Sequence, residues 1–217
     1  ITVTIATPTL LPGQAVLATA SGLDQLGRAL ASGRVAWVSS SPAVATVDSL
    51  GTVRAIAPGT STLTASVGTI SAQRTITVTA PPALRITEVE SNGGTPGDWA
   101  ELYNPTTAAV DIAGWSFKDN DNTRTFAFPA GTVVPAGGYY VVEEAAFGFG
   151  LGAADEARLF TPFGMLVDSY AWTAHAATTY GRCPTPTGVF VTTAASTKGA
   201  ANDCRVLVVV NEVESNG

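Results

Sequence analysis

The sequence predicts an all-β protein made of two sandwich domains in series. Three observations carry this reading. Apolar and polar residues alternate with period two in short bursts, which puts one face of each strand in a core and the other in water. Gly and Pro turn signals punctuate the bursts at close intervals. No window sustains a 3.6-residue period, so almost no helix is expected. Composition agrees: only 13% of the 217 residues are charged. Gly, Pro, Thr, Ser and Ala fill much of the rest, and the residues that favour long helices are sparse. With 46% hydrophobic residues the chain can bury a core, which argues against disorder.

In the first half the strand-like bursts are Ile1–Ile5, Ala15–Ala18, Arg34–Val38, Thr62–Ala65 and Thr75–Val78. Turns are signalled at Pro12-Gly13, Ser41-Pro42, Leu50-Gly51 and Pro58-Gly59. Six or seven strands at this spacing predict two packed sheets. Trp37 falls in mid-strand and is expected to pack between them. The words from Ala36-Trp37-Val38-Ser39 to Val44-Ala45-Thr46-Val47-Asp48 are followed by Gly51-Thr52-Val53-Arg54-Ala55 and Pro58-Gly59-Thr60 to Leu63-Thr64-Ala65. Together they closely resemble the bacterial group-2 immunoglobulin-like (Big) domains over residues 1–79. The resemblance implies an Ig-like sandwich used as an extracellular spacer or adhesin module, and it carries no catalytic residue.

Residues 80–83, Ala80-Pro81-Pro82-Ala83, read as a linker, because two prolines cannot donate to a sheet and favour an extended spacer. A second alternating region follows. Its strand-like words are Leu84–Glu90, Asp98–Asn104, Val110–Lys118, Phe126–Thr132, Gly138–Val142, Ala157–Phe160 and Met165–Tyr170. The motifs Ile86-x-Glu88-Val89, Trp99-x-Glu101-Leu102-Tyr103-Asn104, Val110-Asp111-Ile112-x-Gly114-Trp115, Phe128-Pro129-x-Gly131-Thr132 and Val167-Asp168-Ser169 occur in order. Gly181-Arg182 and Lys198-Gly199-Ala200-Ala201-Asn202 complete the set. This half, about residues 84–205, resembles the lamin-tail domain family, which implies a second Ig-like sandwich. In exported bacterial proteins such domains accompany nucleases, phosphatases and other surface proteins.

The last residues repeat the start of that second domain. Glu-Val-Glu-Ser-Asn-Gly stands at 88–93 and again at 212–217. A fixed offset signals a tandem array, so residues 206–217 read as the start of a further lamin-tail repeat. Val208, Val210, Glu212 and Val213 are candidates for strand exchange with a neighbouring chain, including a copy of this one. Head-to-tail addition of that kind would propagate into a fibre.

The net charge of −6 is unevenly shared: +2 over residues 1–80 and −8 over 81–217. Without a Lys/Arg cluster, nucleic-acid binding is not expected. No apolar run reaches the roughly 18–20 residues of a membrane helix, so membrane insertion is not expected either. The chain opens directly in a strand pattern, without a signal peptide or Met, as a processed chain or a fragment does. Cys183 and Cys204 have no zinc-type companions. In an exported chain they read as a disulfide rather than as free thiols, worth ~3 kcal/mol for a loop of this length.

Candidate chemistry is thin. The single histidine, His175, lies in no nucleophile motif. Glu143 and Glu144 would point to opposite faces of one strand. The turn Asp119, Asn120, Asp121, Asn122 offers hard oxygen ligands suited to calcium, the only cofactor the sequence suggests, although such turns also form for backbone reasons. Glu88, Glu90, Asp98 and Glu101 would converge as a second acidic set if their strands pair. Trp99, Trp115 and Trp172 with Tyr103, Tyr139, Tyr140, Tyr170 and Tyr180 belong to the core or line a binding face. The reading is a non-catalytic, extracellular structural or adhesive module of a bacterial surface protein or fibre. Accessory domains of a secreted nuclease or phosphatase, and a carbohydrate- or surface-binding module, are the alternatives.

Overall fold

Two prolines mark the division of the structure. The computed structural model describes residues 1–23, 26, 28, 35–94 and 97–205, and its backbone parts into two compact units between Pro81 and Pro82. It is almost entirely β, as the alternation predicts.

Among the described residues, the first unit has eight strands: β1 (Thr2–Ile5), β2 (Thr9–Leu10), β3 (Ala15–Ser21), β4 (Ala36–Ser39), β5 (Ala45–Val47), β6 (Thr52–Ala55), β7 (Gly59–Val67) and β8 (Ile70–Val78). They form two four-stranded sheets, β1-β3-β6-β5 and β2-β8-β7-β4. Alternation decides the faces. In β1, Val3 and Ile5 are buried while Thr2 and Thr4 are exposed. The core joins Val3, Ile5, Leu10, Ala18, Val53, Leu63, Ile76 and Val78. β7 and β8 are joined by Gly68-Thr69. Only Gly68 of that pair has positive φ, the pattern of a type II′ hairpin turn. Trp37 sits on the edge strand β4, half-buried against this core rather than at its centre.

The second unit contains β9 (Arg85–Glu90), β10 (Trp99–Tyr103), β11 (Val110–Asp111), β12 (Ser116–Lys118), β13 (Phe126–Ala127), β14 (Val133–Val134) and β15 (Tyr139–Glu143). One helical turn, α1 (Glu144–Phe147), precedes β16 (Asp155–Phe160), β17 (Leu166–Trp172), β18 (Tyr180–Cys183) and β19 (Val189–Thr192). A five-stranded sheet, β15-β10-β9-β18-β19, and a four-stranded sheet, β13-β12-β16-β17, are joined by a short β11-β14 ribbon. Leu84, Ile86, Val89, Leu102, Ile112, Trp115, Phe117, Phe128 and Leu159 lie in the core.

β9 is central and carries an irregularity that its sequence demands. Ile86 and Val89 are both core residues, yet two polar residues, not one, separate them. Strict alternation would turn one of the two apolar residues outward. The register with β10 shifts here, from Glu101 opposite Glu88 to Leu102 opposite Ile86. Thr87 is thereby the extra residue of a β-bulge, and both apolar side chains stay on the core face.

Candidate functional site

The register of β9 and β10 sets Glu88 directly opposite Glu101, and both side chains are fully buried. They lie on the sheet face turned away from the apolar core. The bulge brings Thr87 to the same place, where its Oγ1 donates to Glu101 Oε1 at 2.9 Å. The segment after β19 closes over the pair. Thr197 donates to Glu88 through its backbone N, 3.2 Å from Oε1, and through its Oγ1, 2.9 Å from Oε2. Gly199 N donates to Glu101 Oε2 at 2.6 Å. Thr179 Oγ1, just before β18, also bonds Glu88 Oε1.

The closing segment is fixed at several points. Asn202 Nδ2 donates to Thr87 O and Arg182 O at 2.8 and 2.9 Å. This approach needs a glycine in β18, because a Cβ on Gly181 would stand 2.7 Å from Asn202 Nδ2. Lys198 Nζ is 2.5 Å from Glu143 Oε1 and 5.4 Å from the centre of the Trp99 ring. Ala194 N donates to Asp203 O at 3.1 Å. Cys204 is disulfide-bonded to Cys183 of β18, with Cα atoms 5.6 Å apart.

Among the described residues, none of the groups that bond either carboxyl is a cation. Burial, and then the charge of Glu88, push the Glu101 carboxyl up to about 7, against the bonds from Thr87 and Gly199. Burial likewise pushes Glu88 up, opposed by Thr179 and Thr197, with Glu90 adding to the rise. The arrangement is able to hold a proton, and to lose it near neutral pH.

Of the second acidic set, the structure unites only Glu88 and Glu101. Glu90 Oε1 accepts from Asn92 N at 2.8 Å. Asp98 accepts from Gly93 N at 2.8 Å and from Leu151 N at 2.6 Å. Both therefore shape loops. Among the described residues, no group of three or more His, Cys, Asp or Glu is placed to hold a metal ion.

The Asp119–Asn122 turn faces arginines. Buried Asp119 accepts from Asp121 N at 2.8 Å and from Arg124 Nη1 at 2.9 Å. Asp121 Oδ1 accepts from Thr123 N and Oγ1, each at 2.8 Å. Asn122 Oδ1 accepts from Arg158 Nη1 at 3.1 Å, and Arg158 Nε donates to Asp119 O at 2.7 Å. Asn120 turns away and bonds Asp155 Oδ1 through its backbone N at 3.0 Å. The side-chain oxygens of Asp119, Asp121 and Asn122 are engaged by guanidinium groups, a hydroxyl and turn amides.

Other candidates separate. His175 Nδ1 lies 3.2 Å from Ser91 Oγ. Glu143 ends β15 while Glu144 opens α1 and accepts from Asp98 N at 3.0 Å, so the two do not form a strand pair. Trp99, Trp115 and Trp172 are buried, and Trp172 Nε1 donates to Gly152 O at 2.8 Å. Tyr170 stacks on Phe190 with ring centres 3.7 Å apart. Val208, Val210, Glu212 and Val213 lie outside the described residues. Among the described residues, no helix is long and apolar enough to cross a membrane.

The sequence contains the closing motif Lys198–Asn202, but nothing in it links that motif to the acid pair. Nor does it single out Thr87, Thr179 or Thr197. The available signal was Thr87-Glu88, two polar residues between two apolar ones in a strand.

No curated protein matches the chain. Among solved structures, domains 4 and 5 of the S-layer protein SbsC are similar with a TM-score of 0.36 and 16% identity, covering 73% of this chain and 90% of that one. Domains 1–6 of SbsC give 0.36 and 13%, covering 88% of this chain but only 31% of that one. Domains A168–A170 of titin give 0.21 and 12%, covering 77% and 63%. Family models are more specific: that of the bacterial Ig-like domain (group 2) matches residues 1–79, and that of the Lamin Tail Domain matches residues 77–174. The second match stops short of β18, β19 and the closing segment. The chain therefore carries a bacterial Ig-like domain of group 2 followed by a Lamin Tail Domain, in the order its sequence motifs predict.

Proposed function

We propose that this chain is a non-catalytic structural module of a bacterial surface protein, acting outside the cell as a spacer or assembly unit. One observation carries the reading. The buried acidic pair, Glu88 and Glu101, does not face an open cleft. It is shut beneath a segment that a disulfide fastens, and its carboxyl oxygens are spent on holding that segment. The disulfide fits an oxidising compartment. The recurrence of Glu88–Gly93 as Glu212–Gly217 supports a repeating array.

Contact with other protein chains, including copies of this one, belongs to the same reading. A tail bearing Val208, Val210, Glu212 and Val213 would pair at a sheet edge, β15 or β19, because β9 already fills the place between β10 and β18. The test is exposure on the source cell. Antibody against the chain is expected to label intact cells, and external protease to remove the label without lysis. Labelling only after lysis would overturn the proposal. Light scattering before and after deletion of residues 206–217 tests the assembly step, with loss of assembly expected and unchanged assembly counting against it.

A further inference from the structure

Two carboxyl groups face each other across adjacent strands in a site with no solvent exposure. An ionised pair so placed suffers both desolvation and mutual repulsion, and each is relieved by a proton or by opening to water. The donors that cover the pair come from Thr197 and Gly199, in a segment that lies on the outer face of the sheet. Removing that segment would expose the carboxyls without unpacking the apolar core beneath.

Among the described residues, the surrounding charges do not supply a cation. On β9, Glu90 adds a second negative group. On β15, Glu143 takes the ammonium of Lys198, and Tyr139 is a further acidic group facing Glu101. On β18, the Arg182 guanidinium is committed to Asp168, Ile86 O and Gly188 O. From the closing segment, Asp203 is paired with Arg205.

We infer that the Glu88–Glu101 pair is a proton-controlled clasp: segment Thr197–Asn202 stays closed over the sheet while Glu101 carries its proton, and opens when that proton leaves. The disulfide at Cys204 limits the excursion, so opening is a local movement of a tethered segment. This device rests on the geometry of the second unit and is independent of the surface-module reading.

The sign follows from the site. Burial raises Glu101 from 4.5 to about 7 in the closed form, and exposure returns it toward its ordinary value. Closure is then complete below the lower value and is lost as pH rises through the higher one. Between them the opening constant rises about tenfold per pH unit and levels off above.

Hydrogen exchange of the intact, oxidised chain, corrected for intrinsic pH dependence, tests this. Protection of the amides of Thr197 and Gly199 is expected to fall about tenfold per unit between pH 5 and 7 and then flatten, while amides of β9 and β10 hold. In Glu101→Gln the fall should become shallower, because the amide keeps an acceptor for Gly199 and never ionises, which leaves only Glu88 to titrate. In Glu88→Gln it should be shallower. Flat protection in the unmodified chain, or an unchanged fall in Glu101→Gln, would overturn the inference. If Glu101→Gln does not fold, the unmodified profile and Glu88→Gln decide alone.

Discussion

Asn104 shows what one buried side chain contributes at the end of a strand. Its Nδ2 donates to Ala108 O and Val134 O at 2.8 and 3.1 Å, and its Oδ1 accepts from Thr106 N at 3.0 Å. It is fully buried, so Asn104→Ala leaves at least one carbonyl unpaired and should cost about 2–3 kcal/mol in chemical denaturation. Gly51 illustrates a backbone requirement. Its φ is +85°, and a Cβ there would lie well inside contact distance of Ala18 O. Gly51→Ala should therefore destabilise the first unit by at least about 1–2 kcal/mol, whereas a denaturation midpoint equal to the parent's would mean the turn relaxes. Both positions were legible as turn and strand-end signals. The burial of Glu88 and Glu101 was not. Alternation reports that a residue faces away from the apolar core, but not that Thr197, more than a hundred positions later, covers it. A polar outer face and a polar buried face look the same until the covering segment is placed.

At the scale of elements, strands were readable and their coverings were not. Period two located β10, β15 and β16, and β9 on either side of its bulge, because each presents an apolar face to one core. It could not place the segment from Thr193 to Cys204, which is held by side-chain bonds and a disulfide rather than by a regular pattern. That disulfide closes a sequence separation of 21 residues, so Cys183→Ser with Cys204→Ser should lower the stability of the second unit by about 2–4 kcal/mol. A loss near zero would show that Asn202 and the acid pair hold the segment unaided. The Asp119–Asn122 turn makes the opposite case. Its composition suggested calcium, but the same composition attracts arginine: Arg124 lies just beyond the turn, and Arg158 comes from a strand that the local spacing does not connect to it. Millimolar calcium is expected to leave the thermal midpoint unchanged. A rise reversed by EDTA would show that the metal displaces the two guanidinium groups.

Two sandwiches with separate cores should melt as two cooperative units if little energy couples them. Only the second contains a disulfide, so a reductant identifies its transition by moving it to lower temperature. The same transition is the one that pH should move. Raising Glu101 in the folded state makes that unit most stable below the ordinary carboxyl value, with the advantage lost as pH climbs through about 7. In the first unit, the backbone amide of Thr52 holds the Asp48 carboxyl below its usual range. The stability Asp48 supplies is present above that range and is lost toward acid, so it gives no slope between pH 5 and 8. A calorimetric scan across that window should therefore show one transition that falls with pH and yields to reductant, and a second that does neither. If the pH-sensitive and the redox-sensitive transitions prove to be different ones, the acid pair and the disulfide do not act on the same element, and the closing segment is not their common point of attachment.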